Sequence, residues 1–116
     1  MKQSGQIALT PFPYTDLSRT KLRPVLLIRP LATEYGDWLV CMVSSQLHHQ
    51  DATLDERIQT TDADFVSSGL KVDSLLRLSR LAVLDGALLK GAIGEIAPER
   101  LQRIRQKLSD WIAAKL

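Results

Sequence analysis

At 116 residues, 45% of them hydrophobic but only 5% aromatic, and with a net charge of +2, the chain has the composition of one soluble globular domain spanning residues 1–116. That mix excludes intrinsic disorder, which is poorer in Leu, Ile and Val and more one-sidedly charged. The longest apolar runs, such as Leu39 to Val43, fall far short of the ~20 residues a bilayer requires, and Met1 to Gly5 leads into no secretory hydrophobic stretch. With a single cysteine, Cys41, inside an apolar run, no intrachain disulfide is possible and a reducing cytoplasm is expected. Charge is unevenly spread: residues 1–30 carry five Lys or Arg against one acid, residues 31–75 two against eight, and residues 76–116 eight against four. Two basic segments around an acidic one suggest a basic face that tracks phosphates, with the acidic segment elsewhere.

In chain order, Gln6 to Thr10 alternates and reads as a first strand, stopped by Pro11-Phe12-Pro13 because proline cannot donate to a ladder. Tyr14 to Leu22 is polar and turn-like, a hairpin loop. Arg23 to Ile28 reads as a second strand, with Pro24 tolerated at its beginning and Pro30 ending it. Trp38 to Val43 is apolar without alternation, as in a central strand covered on both faces, and it delivers Ser44-Ser45-Gln46 at its far end. Leu47 to Asp73 is polar and acidic, with a short strand near Arg57 to Thr60 and a turn at Ser67-Ser68-Gly69.

Leu75 to Leu84 reads as a strand. Ideal alternation would put Arg77, Ser79 and Leu81 on one face and Leu76, Leu78 and Arg80 on the other. Gly91 to Ile96 is a last, glycine-thinned strand. From Pro98 the period changes to that of a helix: Leu101, Ile104, Leu108, Trp111 and Ile112 share one side, and Pro98 and Glu99 suit its start. The expected architecture is mainly β, a compact antiparallel barrel of five to seven short strands covered by a C-terminal helix.

Several chemistries lack their signatures. Gly91 to Gly94 has neither the Lys-Ser/Thr ending nor the following helix of a phosphate-cradling loop. The adjacent His48-His49 pair, even with Cys41 and Asp51, has no recognised zinc spacing, so no metal and no cofactor is expected. No nucleophile elbow supports a serine triad.

Three segments, in order, resemble the MazF/PemK (Kid-like) endoribonuclease toxins of type II toxin–antitoxin systems. They are Gly5 to Asp16, reading GQIALTPFPYTD; Lys21 to Ile28, reading KLRPVLLI; and Val43 to Gln46, reading VSSQ. Val72 to Asp85 is similar to the family's later arginine-bearing strand, and Ile93 to Glu99 to its closing strand and helix start. The resemblance implies an SH3-like, MazF/CcdB-like barrel acting in the cytoplasm as a homodimer on single-stranded RNA, with mRNA as the expected target. It implies cleavage without a metal: a ribose 2′-hydroxyl attacks the adjacent phosphate, leaving a 2′,3′-cyclic phosphate and a 5′-hydroxyl. It also implies inhibition by a cognate antitoxin, through which alone the protein would meet DNA, and no contact with membranes.

Carried over by residue, Arg23 is the main catalytic arginine, Ser44 takes the place of the family's Thr or Ser, and Arg77 matches the later arginine. The chemistry agrees, because a five-coordinate phosphate gathers negative charge on its non-bridging oxygens, and guanidinium forks and a rigidly held hydroxyl donate to them. Tyr14, Thr15, Asp16, Arg19, Lys21, Ser45, Gln46, Ser79 and Arg80 are the expected RNA contacts, aromatic stacking and phosphate pairing being what single strands require. The chain departs from the family where some members carry Asp two residues after the later arginine and this one has Ser79, and where the opening strand's Asp is Gln6; no general base is assigned. A second reading is a non-catalytic binder on the same barrel, as in the CcdB toxins, and a third is a degenerate paralogue that binds RNA or antitoxin without cutting.

Overall fold

The computed structural model describes residues 2–13, 20–34 and 36–115. Its strands are β1 (Gln6–Pro13), β2 (Thr20–Pro30), β3 (Trp38–Ser44), β4 (Glu56–Ile58), β5 (Ser74–Leu84) and β6 (Ala92–Glu95); the helices are the single turn α1 (Phe65–Ser68) and the C-terminal α2 (Pro98–Ala113). All pairings are antiparallel, in the order β4-β5-β3-β2-β1-β6. The expected small antiparallel barrel with a C-terminal helix is present as a six-stranded curled sheet, a half-barrel.

The central strands are buried on both faces, which is why β2 and β3 read as unbroken apolar runs. One face carries Ile7, Leu26, Ile28, Cys41, Val43, Leu76 and Leu78, packed against Ile104 and Leu108 of α2. The opposite face carries Ala8, Val25, Leu27 and Val40, closed by Trp38 and Leu89. Ile104 and Leu108, 0% and 6% exposed, each contribute on the order of 2 kcal/mol by leaving water. Cys41 is fully buried, and burial, reinforced by the nearby charge of Asp55, pushes its thiol far up; it is the small core residue expected.

Two expectations, one about the β1–β2 hairpin and one about the helix, need correction. β1 does not stop at Thr10 but pairs with β2 through Pro11↔Leu22 and Pro13↔Thr20. Leu9 directs its N–H and C=O to Gly91 and Lys90, so the odd-numbered residues of β1 turn away from β2, and Pro11 and Pro13 lose only a donor that would point past β6. Lys21, expected in a loop, consequently lies on β2 opposite Phe12. In the second correction, α2 buries Leu101 only partly and leaves Trp111 and Ile112 55% and 67% exposed, while the charged Arg100 is buried.

Arg100 is buried because the acidic segment surrounds it. Its guanidinium donates from Nε and Nη2 to Asp64 at 2.7 and 3.0 Å, from Nη1 to Glu56 at 2.8 Å and to the Arg57 carbonyl at 3.1 Å, and from Nη2 to Asp62 at 3.1 Å. Arg103 and Lys107 add to Glu56, and Arg105 donates to the Ile28 carbonyl, which the register shift between Leu27 and Arg29 leaves outside the β2–β3 ladder. The C-terminal basic segment is therefore divided: Arg100, Arg103 and Lys107 of α2 neutralise the acidic segment, and these three are not part of an open phosphate-binding face.

Candidate functional site

Strand pairing alone explains why a groove opens where it does. β1 and β2 stay paired to the end of the hairpin at Pro13↔Thr20, and β3 and β5 stay paired to Ser44↔Leu75, but β2 and β3 part company beyond Val25↔Met42. Pro24 is the cause: it lies opposite Leu9, a position from which its nitrogen faces β3, and a proline nitrogen has no hydrogen to donate. Past that point the two strand pairs diverge. The resulting depression has a volume of about 600 Å³, with Arg23, Ser44, His49, Lys71, Arg77 and Arg80 among its lining residues.

Register also explains why those side chains converge. Met42 is opposite Val25 on one side and Arg77 on the other, so Arg77 shares its face. Arg23 and Ser44, two residues beyond Val25 and Met42 on their own strands, share it too. Arg80 reaches the same groove through an irregularity: β3 pairs Cys41 with Leu81 but Met42 with Arg77, so Leu78, Ser79 and Arg80 form a bulge on β5. The alternation expected through this stretch is broken there, and Arg77 and Arg80 end up lining one groove rather than opposite faces.

Asp55 holds the bulge. Its carboxylate, 3% exposed, accepts hydrogen bonds from the Ser79 amide at 2.9 Å and the Ser79 hydroxyl at 2.8 Å, and from the Asp51 amide at 2.9 Å. Arg77 Nε lies 4.0 Å from the same carboxylate and is buried without a hydrogen bond among the described residues. Ser44 Oγ accepts a hydrogen bond from the Gln46 amide at 3.0 Å, which fixes the hydroxyl at the end of a buried strand and leaves its proton to be donated.

The charge of the lining is one-sided. Arg23, Lys71, Arg77 and Arg80 line it with no Asp or Glu among the lining residues. A concave surface with one sign of charge and apolar walls concentrates anions, and the fork-shaped guanidiniums match phosphate oxygens. Among the described residues no three His, Cys, Asp or Glu side chains gather to hold a metal.

Of the residues expected from sequence, Arg23, Ser44, Arg77, Ser45, Gln46 and Arg80 line the groove. Lys21 and Ser79 are outside its lining, Ser79 being turned to Asp55. Tyr14, Thr15, Asp16 and Arg19 lie outside the described residues. Gln6 pairs with Glu95 at the far end of β1, and its side chain accepts from the Gln3 amide. Sequence reasoning missed Lys71, Phe12 and His49 in the lining and Asp55 behind it. Phe12 had a signal, since it lies within the hairpin motif; Lys71 and Asp55 belong to a stretch without periodicity.

The sequence profile of the family described as "PemK-like, MazF-like toxin of type II toxin-antitoxin system" matches residues 3–112. Among solved structures, the chain is similar to an endoribonuclease in complex with its cognate antitoxin from Mycobacterial species, with a TM-score of 0.68 at 13% identity, covering 100% of this chain and 99% of that one. No curated protein sequence matches it. Among the described residues no helix is long and apolar enough to cross a membrane.

Proposed function

Since the chain belongs to the PemK-like, MazF-like toxins of type II toxin–antitoxin systems, we propose that it is a sequence-selective endoribonuclease that cuts single-stranded RNA in the groove around Ser44. The observation carrying this reading is the lining itself: a strand-end hydroxyl among four cationic side chains, with no Asp or Glu among the described lining residues. In the proposed reaction the ribose 2′-hydroxyl attacks the neighbouring phosphorus, the bond to the 5′-oxygen breaks, and a 2′,3′-cyclic phosphate and a 5′-hydroxyl result. Arg23 and Arg77 donate to the non-bridging oxygens as their charge grows, and Ser44 donates its hydroxyl proton to the same oxygens. No metal is required, because the guanidiniums supply the positive charge. Ser45, Gln46 and Arg80 contact the strand on either side, and Tyr14, Thr15, Asp16, Arg19, Lys21 and Ser79 complete the RNA contacts carried over from the family.

The physiological form in this reading is a cytoplasmic homodimer silenced by its antitoxin. A groove of this charge is masked by an extended acidic and apolar segment that orders on binding. The solved endoribonuclease of similar fold is itself in complex with its cognate antitoxin.

The test is cleavage of a long single-stranded RNA in EDTA by wild-type, Arg23→Ala and Ser44→Ala protein, with end-group analysis of the products. Wild type is expected to leave cyclic phosphate and 5′-hydroxyl ends, and Arg23→Ala to lose about 100-fold or more in rate, as removal of a transition-state donor does. Cleavage by none of the three, at any enzyme concentration, overturns the reading in favour of a binding module.

A further inference from the structure

Attack by a 2′-hydroxyl needs a group to take its proton, and the groove is poor in such groups. Arginine and lysine side chains hold their protons at neutral pH, Ser44 is a donor, and no carboxylate lines the groove among the described residues. Ser79, which stands where some relatives carry Asp, is no acceptor either, because its hydroxyl is tied to Asp55. Asp55 is itself buried beneath the β5 bulge and already accepts from Ser79 and Asp51. One lining residue remains whose side chain carries a nitrogen able to accept a proton, His49.

The chain places His49 there through a short turn directly after β3. Immediately beyond Ser44 the backbone turns, the Gln46 amide donating to Ser44 Oγ, and Leu47–His49 form a single 3-10 turn closed by the His49 amide on the Gln46 carbonyl. That turn returns His49 to the lining while its neighbour His48 packs edge-on against its ring, with ring centres 4.2 Å apart. The His49 ring nitrogens make no hydrogen bond among the described residues. The charged groups that share the groove lining with it are Arg23 from β2, Arg77 and Arg80 from β5 and Lys71 from the segment before β5. On its own segment, the Asp51 carboxylate is turned to Thr53 and Leu54.

We infer that His49 is the catalytic residue that accepts the 2′-hydroxyl proton, an inference that rests on the RNA-cleaving reading above. As the O2′–P bond forms and the P–O5′ bond breaks, the proton passes to an unprotonated imidazole nitrogen. The departing 5′-oxygen takes a proton from water, and the imidazolium returns its own to solvent. Atoms and charge balance without a further reactant.

The experiment is the pH dependence of RNA cleavage in EDTA, from about pH 5 to about pH 9, the range over which histidine changes charge, for wild type, His49→Gln, His49→Ala and His48→Gln. Wild-type kcat is expected to rise with pH along an acid limb. His49→Gln is expected to lose about 100-fold or more in kcat, the contribution of a positioned base, with KM little changed and the acid limb flattened. Free imidazole should restore part of the His49→Ala rate, and His48→Gln should keep the wild-type profile. Active wild type with an unchanged His49→Gln rate and limb overturns the assignment and leaves the nuclease reading standing, as does loss of an alkaline limb, which would make His49 a proton donor. Inactive wild type at every pH removes the nuclease reading and this assignment with it.

Discussion

Asp55 is the residue on which the geometry of the later arginine depends, although it touches no open surface of the groove. Its carboxylate accepts from the Ser79 amide and hydroxyl and from the Asp51 amide and lies beside Arg77 Nε. An Asn at this position would turn an NH₂ toward at least one N–H donor and remove the charge facing Arg77. Asp55→Asn is therefore expected to cost about 2–4 kcal/mol, the range for uncoupling a buried charged acceptor from its donors, read from the urea midpoint. A loss below about 1 kcal/mol would mean the bulge is held by its ladder alone. This site was only half legible in the sequence. Arg23 and Ser44 could be found because they sit in short motifs, Arg23 next to Pro24 within β2 and Ser44 at the end of β3. Asp55 could not, since it acts on Ser79 from 24 positions away, and Arg80 was put on the wrong face because alternation contains no sign of a bulge.

At the scale of elements, β6 and α1 are joined by an approach that only glycine permits. A Cβ on Gly94 would come within 2.2 Å of the Ser67 carbonyl oxygen and 2.5 Å of that of Ser68, and one on Gly69 within 2.1 Å of the Ile93 carbonyl oxygen. Those obstacles are backbone atoms, so relief requires moving the helical turn, with the Ser67 Oγ hydrogen bond to the Glu95 carbonyl. Gly94→Ala is expected to destabilise the fold by about 3 kcal/mol, at the upper end of overpacking costs, and to expose the β6 edge to amide exchange while β2 and β3 stay protected. Wild-type stability in this variant would refute the tight contact. The glycine-thinned strand itself was readable, and so were β2, β3, β5 and the helix, because each has an apolar run or period long enough to declare itself. The end of β1 was not, because prolines stop a strand only when their missing donor faces a partner. Trp111 and Ile112 keep the helical period but extend past the sheet that buries Ile104 and Leu108, and periodicity cannot report where a partner surface ends.

Across the whole molecule, charge is sorted into two regions with different work. Arg100, Arg103 and Lys107 face Glu56, Asp62 and Asp64, while the groove is lined by Arg23, Lys71, Arg77 and Arg80 with no Asp or Glu among its lining residues. Composition by segment anticipated both basic blocks but could not say that the α2 part of the second would be consumed internally while Arg77 and Arg80 line the groove, since the pairing joins residues about forty positions apart. The arrangement has a pH signature. Burial pushes the Glu56 carboxyl up, but the Arg103 hydrogen bond and the charges of Arg103, Lys107 and Arg100 outweigh it and hold the group below its usual range. Burial likewise raises Asp64, and hydrogen bonds from Arg100 and the Ala97 amide with the Arg100 charge bring it below its usual range. In the unfolded chain both titrate near their ordinary values of about 4, so the folded state binds protons less readily than the unfolded one. Their stabilisation is then complete above about pH 5 and drains away as pH falls through about 4 toward the lowered folded values. The urea midpoint should accordingly be flat from about pH 7 to about pH 5 and drop steeply below about pH 4. Arg100→Gln removes the cation common to both carboxylates. It should be less stable at neutral pH by about 3 kcal/mol, as for a broken buried ion pair, and its decline on acidification should be shallower, because the carboxylates it leaves behind are no longer held low. A variant that loses stability equally at every pH would place the clamp's contribution in packing rather than in charge.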